Sequence, residues 1–172
     1  MIWVTADHHF NHHNIIEYAN RPFMNSVDMN KFLIARHNSR VNPNDVVYIL
    51  GDFKMTNNGP TFYDLKKELN GELVFIRGNH DRNNGVNGGL EYAVIRTFSL
   101  NILMIHDPED AMRLIELDRT IDLALVGHVH NVWKFRGIMV NVGVDVWDYY
   151  PVHIKQILKA RKEWVRENGG NN

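Results

Sequence analysis

Leu123-Ala124-Leu125-Val126-Gly127-His128-Val129-His130 sets four apolar residues directly before a glycine and two histidines. A short apolar run that stops at glycine reads as a buried strand. Ligands of α/β sheets bind beyond the carboxyl ends of strands, so histidines in that position are placed for chemistry. Glycine lets the backbone come close, and imidazoles two residues apart can serve adjacent metal ions.

The same arrangement recurs in both directions along the chain. Apolar runs at 2–6, 46–50, 73–77 and 102–105 lead into Asp7-His8-His9, Gly51-Asp52, Gly78-Asn79-His80-Asp81 and His106-Asp107. A further strand-like run occupies 92–98. Helical patterns at 14–19, 26–40 and 60–70 separate the first three strands, with Ser26 as the expected cap of the second and Asn14 able to cap the first. Residues 82–89, rich in Asn and Gly, read as a loop beside the site. A hairpin is expected over 132–145, turning at Arg136-Gly137 with 138–142 as its second arm, and a final helix over 153–166. The expected organisation is one mixed α/β domain over 1–167 with a disordered tail at 168–172.

Composition narrows the function classes. With 172 residues and 44% hydrophobic content the chain can build one substantial core. A net charge of −1 leaves no polybasic footprint for gripping long nucleic acid, although Arg77, Arg82, Lys54 and Arg136 could form a local patch. The absence of cysteine excludes disulfides and thiolate metal sites. No signal segment and no apolar run of bilayer length is evident, so a cytoplasmic protein without membrane association is expected.

The motifs read individually as follows. Asp7 and His9, on a regular strand, would point to one face and chelate together, leaving His8 elsewhere. Asp52, just past a buried strand, can bridge two cations with its two oxygens. Asn79 can bind through its amide oxygen while His80 stays free for proton transfer. Asp81 then bonds a His80 ring nitrogen or a nearby backbone group. His106, His128 and His130 complete the candidate set, and His12 could donate to a phosphate oxygen or the leaving group. Oxygen and imidazole donors without thiolate suit two divalent ions, Mn²⁺ first, with Fe²⁺, Ni²⁺ or Zn²⁺ as alternatives.

Taken in order, Asp-x-His, Gly-Asp, Gly-Asn-His-Asp, His and Gly-His-x-His resemble the calcineurin-like metallophosphoesterase family. Two further stretches, Thr5 to Ile16 and Asn141-Val142-Gly143-Val144-Asp145, resemble its compact bacterial and phage branch. The resemblance implies a two-sheet β-sandwich flanked by helices, with the metal site on loops at one edge. It implies that Asp7, His9 and His130 hold one ion and Asn79, His106 and His128 the other, with Asp52 between them and His80 as proton donor. Many relatives carry an acidic or basic residue shortly after Gly-Asp. Here Phe53-Lys54-Met55-Thr56 follows, so that role would fall to Lys54 or to nothing.

The expected activity is hydrolysis of a phosphomonoester or phosphodiester by in-line attack of hydroxide, without a covalent intermediate. Small or nucleotide-like substrates fit a chain too short for an extended groove. A nuclease acting on single-stranded nucleic acid and a non-catalytic metal-binding protein are the alternative readings.

Overall fold

Alternation sorts the strand side chains into two layers. In β1 (Ile2–Thr5) Trp3 faces one way and Val4 the other; in β5 (Leu100–Ile105) Ile102 and Met104 oppose Leu103 and Ile105. Both faces of these strands are buried, which explains their continuous apolar composition. The computed structural model describes residues 1–169, so most of the expected disordered tail lies outside the described residues.

Two sheets result. The first has the order β3-β2-β1-β9, with β2 (Val46–Leu50) and β3 (Glu72–Ile76) parallel to β1, and β9 (Val152–His153) antiparallel at its edge. The second has the order β4-β5-β6-β8-β7 and comprises β4 (Tyr92–Thr97), β5, β6 (Leu123–Val126), β7 (Phe135–Arg136) and β8 (Met139–Asn141). Val4, Leu50 and Ile76 of the first sheet meet Ile102, Met104, Leu123, Leu125 and Val140 of the second in a shared apolar core.

Helices cover the outer faces. Met29 and Leu33 of α2 (Ser26–Asn38) and Leu65 of α3 (Phe62–Glu68) pack on Trp3, Val47 and Ile49. Ala111 of α4 (Pro108–Leu117), with Leu114 and Ile115, covers Leu103, Ile105, Ala124 and Val126. The fold is a two-sheet sandwich flanked by helices, and α5 (Ile154–Glu167) closes one edge through Ile154 and Ile157.

Several local expectations are corrected. Asn25, not Ser26, caps α2, its side chain accepting the Asp28 N–H. Asn14 makes no side-chain cap on α1 (Ile15–Tyr18). Helix α4 went unread in the sequence, although Asp107 as cap, Pro108 in the first turn and Glu109 and Asp110 behind it announce a helix start. The stretch 82–89 opens with a 3-10 turn, Asp81–Asn84, before it becomes loop. Strand β9 was missed because two residues carry no period.

Among the described residues no helix is long and apolar enough to cross a membrane.

Candidate metal centre

The strands β1, β2, β3, β5 and β6 each end just before one of the motifs, and all five motifs meet at one rim. Ligating atoms of Asp7, His9 and His130 lie within 4.8 Å of one another, and so do those of Asp52, His106 and His128. The two groups touch through one carboxylate oxygen. Asp52 Oδ2 stands 3.5 Å from His9 Nε2 and 3.5 Å from His106 Nε2. Asn79 joins the second group, its Oδ1 lying 3.0 Å from His106 Nε2 and 3.1 Å from His128 Nδ1.

The backbone reaches this convergence by an unexpected route. Asp7, His9, Asp52, His128 and His130 all have positive φ, between 46° and 71°. The two-residue spacing of Asp7 and His9 therefore does not work through an extended strand. Left-handed residues past the strand end turn both side chains inward, a conformation that Asp and His tolerate better than most but that still costs about 1 kcal/mol or more each. Five such residues in one site mark a backbone shaped for its side chains rather than for its own comfort. Glycines make the room. A Cβ at Gly127 would stand 2.9 Å from Asp7 Oδ2, and one at Gly143 2.7 Å from the same oxygen.

Hydrogen bonds fix which ring nitrogens face the centre. His106 Nδ1 donates to the Leu50 carbonyl at 2.8 Å, leaving Nε2 toward Asp52 and Asn79. His130 Nδ1 lies 3.0 Å from Asp145 Oδ2. Arg21 clamps that carboxylate with Nε and Nη2, at 2.8 and 3.0 Å, and donates to the backbone carbonyls of His8 and Asp7. Asn141, fully buried, donates to the carbonyls of His130 and Trp133 and accepts the Gly143 N–H. A carboxylate holding one nitrogen of an imidazole so that the other can ligate is a recurrent arrangement around metals.

Electrostatics agree with a site for cations. Burial pushes the Asp7 carboxyl up against the opposing pull of the His106 and His130 imidazoles. His9 is buried, its Nε2 lacks a hydrogen-bond partner, and burial lowers its pKa well below the ordinary histidine value. For Asp52 burial alone would raise the pKa, but the His106 hydrogen bond and the His106 and His9 charges hold it well below the usual carboxylate range. Burial works against charge on His106, yet its bond to Asp52 and the Asp7 and Asp52 carboxylates lift its pKa to about 9. Two donors each about 2.1 Å from one ion stand about 3.0 to 3.4 Å apart at octahedral or tetrahedral angles. The spacings around Asn79 Oδ1 and Asp52 Oδ2 match or closely approach that range. The residues therefore fit divalent ions.

The remaining candidates are placed as follows. The half-buried His80 ring centroid is 6.0 Å from that of His9, and its backbone N–H donates to Asp52 Oδ1 at 3.1 Å. Asp81 does not bond the His80 ring. Its carboxylate accepts the N–H groups of Asp52, Phe53 and Gly78 at 3.1, 2.9 and 2.8 Å, tying the second motif to the third. His12 Nδ1 lies 3.3 Å from His9 Nδ1, and burial lowers the His12 pKa. His8 turns into the core, stacked on Phe10 at 5.2 Å, and burial lowers its pKa to about 3. Lys54 belongs to no surface patch. It is buried, and its Nζ donates to the carbonyls of Thr56 and Asn84.

Arg21, Asp145 and Asn141 were not read as site residues. Asp145 and Asn141 lie in a stretch noted only for its family resemblance, and Arg21 stands in a loop without any motif.

Residues 1–146 match the sequence profile of the calcineurin-like phosphoesterase superfamily domain. The chain belongs to that superfamily. It is 39% identical over 166 residues to the uncharacterized protein MJ1445 of Methanocaldococcus jannaschii, covering 92% of this chain and 89% of that one. A crystal structure of the Aquifex aeolicus protein AQ665, of unknown function, superposes with a TM-score of 0.74 at 25% identity, over 93% of this chain and 98% of its own. Vps29 of Chaetomium thermophilum shares the fold at a TM-score of 0.50 and 16% identity, over 81% of this chain and 69% of its own.

Proposed function

We propose that this superfamily member is a dinuclear metal-dependent phosphodiesterase or phosphatase acting on small or nucleotide-like phosphate esters. The observation that carries the reading is Asp52 Oδ2, equidistant at 3.5 Å from an imidazole nitrogen of each group. Asp7, His9 and His130 would hold one divalent ion, Asn79, His106 and His128 the other, and Asp52 would serve both. Such ions, when bound, lower the pKa of water and neutralise charge developing on phosphoryl oxygens. Manganese is the proposed occupant, with iron, nickel and zinc suited to the same donors.

The chain's own residues supply position and a proton. As the bond from water oxygen to phosphorus forms, the bond from phosphorus to the leaving oxygen breaks on the opposite side, and His80 gives that oxygen its proton. Asp81 positions His80 through the backbone, since its carboxylate bonds Gly78 at the head of the same loop. His12, one nitrogen turned to His9, keeps the other for a phosphoryl oxygen.

Hydrolysis of bis-p-nitrophenyl phosphate and p-nitrophenyl phosphate by metal-stripped protein resupplied with Mn²⁺ tests the reading. Turnover should fall roughly 10³-fold or more in Asp52→Asn, as for residues that act as a unit. In His80→Ala, alkyl phosphate esters should slow by roughly 10² to 10⁴-fold and nitrophenyl esters far less, because nitrophenolate leaves without a proton. Equal losses on both ester types would remove His80 from the acid role, and no turnover of any ester would favour a binding protein.

A further inference from the structure

A cavity of about 670 Å³ opens from Asn79 and His106 and runs between the outer face of β4 and helix α4. It is in the size range of small-ligand sites. Its apolar lining comes from Ile105, Leu114 and the ring of Tyr92, a residue 49% exposed at the edge of its sheet. Two of its arginines are already engaged, Arg77 with Glu91 and Arg113 with Asp110. Arg82, at the end next to the metal centre in sequence, has no ion-pair partner among the described residues.

The proton donor and the groove mouth neighbour different halves of the centre. His80 and His12 are grouped with His9, whereas the groove is reached past Asn79 and His106. A leaving group must sit by His80 to take its proton. The groove is therefore left for the ester group that stays on phosphorus. An exposed aromatic ring, an apolar wall and an unpaired guanidinium together suit a planar base joined to a phosphate.

We propose that this groove binds the nucleoside retained on phosphorus, with Tyr92 stacking the base and Arg82 bonding a phosphate oxygen, so that the substrate is a nucleotide phosphodiester. The proposal rests on the phosphoesterase reading above. Water adds its oxygen to phosphorus, the departing alcohol takes the proton, and a nucleoside monophosphate remains in the groove.

The test uses the full chain with Mn²⁺ and two diesters, methyl p-nitrophenyl phosphate and the p-nitrophenyl ester of thymidine monophosphate. Both expel nitrophenolate, so only the retained group differs. The nucleoside ester should have a kcat/KM at least tenfold higher, and Tyr92→Ala should lower that preference roughly tenfold while Tyr92→Phe keeps it. Arg82→Ala should raise KM for both diesters. A wild-type ratio near one, or a ratio unmoved by Tyr92→Ala, overturns the proposal. If neither diester is hydrolysed, the activity reading fails and the groove is decided by calorimetric titration with thymidine monophosphate against inorganic phosphate. Binding at least tenfold tighter for the nucleotide, lost in Tyr92→Ala, sustains the groove; equal affinities overturn it.

Discussion

The two halves of the metal centre are built differently. The Asp7, His9 and His130 half is enclosed: Asp7 and His9 are buried, and a buried Arg21–Asp145 pair reaches across more than a hundred residues of sequence to hold His130 and the Asp7 backbone. The Asp52, His106 and His128 half opens outward, with Asn79 and His128 exposed and the groove beginning beside them. Asp52 and His106 are as buried as Asp7 and His9, so the difference lies in what stands at the rim: a clamped His130 on one half, an exposed Asn79 and His128 on the other. Preorganisation is thus concentrated in the first half and access in the second.

Breaking the Arg21 clamp should have the largest effect. Arg21→Met leaves Asp145 buried without its cation and the Asp7 and His8 carbonyls without their donor, and removing one member of a buried pair costs about 3–5 kcal/mol. Urea unfolding of the metal-free protein should register that loss; a change below about 1 kcal/mol would show that the clamp contributes little. A milder cut separates the halves. Asp145→Asn should weaken the first half's ion by roughly 10 to 100-fold, as loss of an outer partner does, while sparing the second. His128→Ala should do the reverse, at a stability loss of about 1 kcal/mol because alanine takes the positive φ of that exposed residue less readily than histidine. Mn²⁺ titration read by calorimetry distinguishes the two, and identical isotherms would dissolve the contrast.

The smallest effect lies away from both halves and calibrates them. His37, buried in α2, donates from Nε2 to the Asn70 carbonyl, and burial lowers its pKa. A histidine whose folded pKa is depressed contributes stability that is present above its unfolded value, about 6.5, and fades as pH falls toward the folded one. His37→Gln should therefore lose less melting temperature than the wild type between neutral pH and pH ~5. Parallel slopes would mean that acid sensitivity resides in the centre's own histidines.

Much of the architecture was legible because burial on both strand faces writes itself as unbroken apolar runs, and the residues just beyond those runs were polar in ways a turn does not require. Leu50-Gly51-Asp52 and Val126-Gly127-His128 announce both a strand and its end. What stayed hidden depends on tertiary distance. Arg21 and Asp145 are 124 residues apart and meet only when the first sheet closes on the loop after β8. The left-handed turns at Asp7 and His9 were equally invisible, because a period-two argument gives the same side-chain pairing by another backbone. Tyr92 read as an ordinary strand residue until β4 proved to be an edge with a groove behind it.

The five left-handed residues at the rim also bear on how such a protein changes over generations. At each of them a glycine would relieve backbone strain but remove a candidate ligand, so backbone comfort and metal binding pull against each other there.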